Sequence, residues 1–208
     1  MTQIANSAQA RAWNGSLGHH WAGHHERYDT LVSGLNTALF DAAAIASGDR
    51  VLDVGVMFFA DHAAAFRNLA RSLRPGGRLA FVCPRPAGPE VEESRALSLF
   101  GELLDEPDAA TVAVQAAMAS LSDPEHIREV LRGWDDVTVT PVATETIWGR
   151  DAADAVGFIL SRTPGRAVDA DTREALRDTL RPYETDRGVR LRAAVWLVTA
   201  KWRTDDSQ

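Results

Sequence analysis

Apolar residues fall along this chain in blocks of differing period, and those periods predict alternating helices and strands. Leu39 to Ala46 is an apolar-rich helix behind a capping Asn36, ended by Gly48. Arg50 to Gly55 reads RVLDVG, a short β-branched run after a turn signal, which is the pattern of a buried strand; Val56 to Phe59 prolongs the apolar run. Asp61 stands where an N-cap belongs, and Ala64, Phe66, Leu69, Ala70 and Leu73 form a helical stripe that stops at Pro75-Gly76-Gly77. Arg78 to Cys83 is apolar enough for a central strand, terminated by Pro84, Pro86 and Pro89.

Helical patterns follow over Glu90 to Leu104 and Ala109 to Leu121, and Ser122-Asp123-Pro124-Glu125 opens a further helix that Gly133 closes. Val137 to Val142 alternates as a strand, Asp151 to Leu160 and Asp171 to Leu180 are helical, and Val189 to Trp202 is a long final strand. With no internal repeat or linker, a single domain is expected over residues 1–208: a helical, lid-like segment at 1–35 and an α/β core at 36–208.

Composition narrows the setting. The 208 residues are 45% apolar and 25% charged, an ordinary globular balance. Acidic residues outnumber basic ones 29 to 22 and no Lys/Arg stripe compensates, so a nucleic-acid partner is not expected. The single cysteine, Cys83, rules out an internal disulfide and a cysteine-rich metal site, in keeping with a reducing cytoplasm. The polar, alanine-rich start and the lack of a long apolar run predict neither secretion nor membrane insertion.

Four stretches, AWNG with the following GHHWAGHHERYD, RVLDVG, VMFFADHAAAFRNLARSLRPGGRLAFVC and DRGVRLRAAVWLVTA, cover most of the chain. Together with the order of elements, they resemble the class I S-adenosylmethionine-dependent methyltransferase family, especially its bacterial small-molecule branch. The resemblance implies an α/β, reduced Rossmann-like methyltransferase fold: a mostly parallel sheet, RVLDVG beside PGGRLAFV and then the two C-terminal strands, with helices on both faces. In that family the LDVG strand runs into a glycine-rich turn that the cofactor approaches closely. Here Gly55 is followed by Val56-Met57-Phe58-Phe59, which the family carries after its fourth strand. The resemblance thus implies that the cofactor-binding middle, roughly sixty residues or more, is missing, the acidic ribose ligand with it. Only Asp53 and Gly55 match the cofactor motif, so no bound cofactor and no methyl transfer are expected. The loss would leave a sheet edge and the Val56 to Phe59 run to be covered, as in a homodimer.

Among His19, His20, His24 and His25, the pair His20 and His24 shares a helix face with Tyr28. Two histidines make half a zinc site and no third ligand stands at motif spacing, so no metal is expected. An imidazole near its ordinary pKa of about 6.5 exchanges protons at neutral pH, which makes His20, His24, Tyr28 and the strand-end carboxylate Asp53 the candidate catalytic groups. Asp53 should reach solvent in a cleft or cap a backbone group. His62, in the first turn after Asp61, reads as exposed. Trp13, Trp21, Met57, Phe58 and Phe59 are candidates to line an apolar cavity for a flat substrate, with core packing the competing reading for Met57 and Phe58. The functional expectation is a cyclase or isomerase acting on a hydrophobic small molecule in natural-product assembly. A non-catalytic partner or regulator of a full-length methyltransferase is the second reading, and residual methyl transfer the third.

Overall fold

The computed structural model describes residues 10–11, 13–104, 109–162 and 167–203, with only the backbone of 109–111. In chain order its elements are α1 (Ser16–Gly23), α2 (His25–Ala43), a 3-10 turn (Val56–Phe58), α3 (His62–Ser72), β1 (Arg78–Pro84), α4 (Glu92–Leu103), α5 (Ala109–Ala119), α6 (Pro124–Val130), β2 (Asp135–Gly149), α7 (Ala152–Ser161), α8 (Ala170–Leu180), a second 3-10 turn (Arg181–Tyr183), β3 (Glu184–Thr185) and β4 (Gly188–Lys201).

Local chemistry explains where the helices begin. Aspartate side chains accept backbone N–H groups that the first turn leaves without partners: Asp61 from Ala64, Asp123 from Glu125, Asp151 from Asp154 and Asp169 from Thr172. Pro124 adds a preset φ at the first position of α6. Helix α2 starts fourteen residues before the expected Leu39 and continues across the expected boundary at 35, ending at Ala44 in a left-handed conformation (φ 47°). It lies directly on β2 at Gly34, where a Cβ would stand 2.2 Å from the Glu145 carbonyl oxygen.

The sheet corrects the expected fold. Its order is β1-β4-β2, with β3 a short hairpin arm on β4, and every pairing is antiparallel. The mostly parallel, Rossmann-like sheet is therefore not formed. β4 lies between β1 and β2 and runs against both, so the helical crossovers return the chain without making parallel neighbours.

RVLDVG, expected as a strand beside β1, is irregular, with Val51 63%, Leu52 61% and Val54 36% exposed. Among the described residues β1 pairs with β4 alone, and an apolar run becomes a strand only where a neighbouring strand accepts its backbone groups.

Two apolar clusters hold the sheet. Phe66 and Ala70 of α3, Leu121 and Ile127 pack on Phe81, Cys83 and Val198, with Phe66 stacked on Phe81 at 5.6 Å between centroids. Ala96 and Phe100 of α4, Ala155 and Val156 of α7, and Leu176 and Leu180 of α8 pack on Trp148, Val189 and Leu191. Glu93 ties α4 to the second cluster by accepting from Thr146 Oγ1 at 2.8 Å and Trp148 Nε1 at 3.1 Å. No helix of the described residues is long and apolar enough to cross a membrane.

Candidate functional site

The N-terminal helices fold back on α7. His24 both ends α1 and opens α2, its Nδ1–H donating to the His20 carbonyl at 2.8 Å, so the chain turns and lays His20 and Tyr28 against the same neighbour. That neighbour is Phe158, whose ring lies 6.1 Å from His20, 6.0 Å from His24 and 5.2 Å from Tyr28. Beyond the ring, His20 Nε2 lies 2.9 Å from Ser161 Oγ, and on its other side Nδ1 lies 3.3 Å from the Tyr28 hydroxyl.

The protons of this row follow from its partners. Ser161 Oγ–H donates to the Phe158 carbonyl at 2.7 Å, so it must accept from His20, which places the imidazole proton on Nε2. With the His20 ring neutral, Nδ1 is then the acceptor for Tyr28 O–H. Burial, then the neighbouring His24 and the Arg162 guanidinium, pushes its pKa below 6.5 in agreement. His20 also stacks on His24 at 4.2 Å between centroids.

The aromatic candidates continue the row. Trp21, 40% exposed, stacks on the buried Tyr28 ring at 5.3 Å, and Trp13 meets Trp21 edge-on at 6.3 Å and Phe58 at 5.4 Å. The structure thus brings His20, His24, Tyr28, Trp13, Trp21 and Phe58 together. It does not bring in the other three candidates. Asp53 sits in the exposed 51–55 segment, Phe59 packs on the first core cluster, and Met57 is half-buried with its carbonyl accepting Ser120 Oγ–H at 3.1 Å.

Arg27 anchors the row from below. It pairs with Asp154 of α7 at 2.6 Å, donates to the Trp148 carbonyl at 2.8 Å and lies over the Phe158 ring at 4.9 Å. Burial pushes the Asp154 carboxyl up, but the Arg150 backbone N–H and the Arg27 and Arg150 guanidinium groups outweigh it and hold the pKa at about 2. A depressed carboxylate adds stability above its ordinary value of 3.8, and that stability is lost as the pH falls towards 2. Asp154→Asn is therefore expected to lose about 1–2 kcal/mol at pH 7 after solvent screening, and to flatten the acid limb of the stability curve between about pH 4 and 2, as read by urea denaturation at stepped pH.

Sequence reasoning missed Phe158, Ser161 and Arg162, which stand on or just beyond α7; His20 and Ser161 are 141 positions apart. It also placed His62 in solvent. The ring is half-buried, its Nε2 3.3 Å from Ser120 Oγ and its plane edge-on to His126 at 6.1 Å, and burial and then His126 lower its pKa. His126 and Ser120 line an open surface cavity of about 540 Å³ with Asp123, Glu125, Glu129 and Arg132. A second open cavity of about 610 Å³ lies by Trp134, Asp135 and Trp202. Cys83 is buried, and burial pushes its thiol up to about 12, which leaves it unreactive. Among the described residues no three His, Cys, Asp or Glu side chains converge to hold a metal ion. The chain matches no protein-family model, and no curated protein matches it significantly.

Proposed function

We propose that this chain is a methyltransferase-derived protein that does not transfer methyl groups and that the His20–Tyr28 row performs proton transfer on a hydrophobic small molecule, as in an isomerisation or cyclisation. The observation that carries this reading is the placement of the His20 imidazole, its Nδ1 facing the Tyr28 hydroxyl beside the exposed Trp21 ring. An activated substrate C–H loses its proton to the Tyr28 oxygen as the Tyr28 proton passes to His20 Nδ1. Return of the proton at another carbon completes an isomerisation; in a cyclisation the carbanion attacks a carbonyl within the same molecule, and the proton returns from His20 through Tyr28 to the resulting alkoxide. Ser161 keeps Nε2–H in place throughout, and Trp13 and Trp21 offer flat faces to an aromatic or polycyclic substrate.

Deuterium wash-in at the activated carbon of an aryl β-diketone, followed by NMR, tests this step. Wild-type protein is expected to accelerate exchange over buffer, and His20→Gln to lose that acceleration by about 10²-fold or more, the usual share of a positioned acid-base group. Exchange no faster than buffer, or equal in the variant, sinks the reading.

The exposed Val51 and Leu52 favour a second reading, in which this apolar segment and the free side of β1 meet another polypeptide and the protein acts as a non-catalytic partner of a full-length methyltransferase. A homodimer covering the same surface fits the enzyme reading instead. Light scattering separates the two, since a self-contained dimer supports the enzyme and a monomer that dimerises only with such a methyltransferase supports the partner.

A further inference from the structure

We propose that α1 is an acid-released latch on α7: proton uptake by His20, stacked on His24 and bonded between Tyr28 and Ser161, undocks the N-terminal helix. The docked arm is lightly held. No residue of α1 is buried, and eight residues are too few for a helix that stands alone, so its order depends on the contacts of His20, His24 and Trp21 with Tyr28, Phe158 and Ser161.

A proton on His20 keeps the Nε2–H bond to Ser161 but reverses the Tyr28 contact, since Nδ1 turns from acceptor to donor and the Tyr28 hydroxyl has to turn its own proton elsewhere. The new charge stands against the stacked His24 ring, with Arg162 at the end of α7 lying over the Tyr28 ring at 5.9 Å. Arg27 of α2 adds a further cation across Phe158, and Asp154, the carboxylate on α7, is already engaged by Arg27 and Arg150. Among the described residues no carboxylate is offered to the imidazolium in compensation.

The sign follows from linkage. The docked imidazole titrates below 6.5 and the released one near it, so docking is unaffected above about pH 7 and weakens as the pH falls from about 6.5 towards the docked value. The latch rests on the same neutral His20 as the proton transfer proposed above but needs no substrate, so hydrogen exchange can fail while deuterium wash-in succeeds, and the reverse.

Hydrogen exchange of the whole protein, corrected for intrinsic rates and compared between pH 7.5 and 5.5, reads the latch directly. Protection over residues 13–24 should drop several-fold at the lower pH while β4 is unchanged. His20→Gln should remove that pH dependence, and Arg162→Gln, which leaves the row itself in place, should make it shallower. Equal protection at both pH values, or an unaltered pH profile in either variant, overturns the proposal. If His20→Gln leaves the arm undocked at every pH, the Arg162→Gln profile decides.

Discussion

Phe66→Ala is expected to cost about 3–5 kcal/mol of unfolding free energy, a large share of the roughly 5–15 kcal/mol that holds an ordinary domain folded. Phe66 is fully buried, stacks on Phe81 and sits where α3 meets β1 and β4, so truncation leaves a cavity that the rigid sheet cannot collapse to fill. Urea denaturation followed by circular dichroism measures the loss. Phe40→Ala, at a ring 58% exposed on α2, is the matched control and should change stability by about 0.5 kcal/mol or less. Equal losses in the two variants would mean that α3 is not packed on the sheet as described.

A second large effect is expected from Gly188→Ala. Gly188 opens the central strand β4 with φ +98°, where an L side chain is strained, and an added Cβ would stand 2.4 Å from the Gly149 carbonyl oxygen. The clash is with backbone and no rotamer change relieves it. Together these should cost about 3 kcal/mol, a drop in Tm of roughly 6–12 °C by calorimetry. A loss of less than about 1 kcal/mol would show that the β3–β4 turn takes another shape.

These two sites mark the boundary of what the chain alone discloses. Asp61, Asp123 and Asp151 announce their helices because a cap binds a backbone N–H two or three residues away, and that chemistry is complete in the local sequence. Arg78–Pro84 is a recognisable strand because its apolar character is continuous, and Gly188–Lys201 because an alternating start leads into the apolar run Ala193 to Val198. Their direction is not recognisable, since antiparallel pairing through β4 depends on which strands become neighbours. RVLDVG has the same apolar character and forms no strand, because composition supplies the side chains and only a neighbour supplies the hydrogen bonds.

The same distinction runs through the candidate site. His20, His24 and Tyr28 can be grouped from helical spacing alone, and Trp13 with Trp21 from their place in the same segment. Ser161, Arg162 and Phe158 cannot, as an ordinary amphipathic helix gives no sign of which distant residue will dock on it. Asp53 fails as a candidate for the reason RVLDVG fails as a strand: without a sheet around it, the strand-end carboxylate is an exposed side chain in an irregular segment.

The state of His20 carries the most weight, since a neutral imidazole with its proton on Nε2 is what both the proton transfer and the latch require. Long-range ¹⁵N–¹H NMR of the histidine side chains across pH 5 to 8 measures it directly. The expected spectrum shows His20 as the Nε2–H tautomer at neutral pH, titrating below 6.5. A proton on Nδ1 instead, or titration at or above 6.5, would contradict the row from Tyr28 to Ser161 and everything built on it.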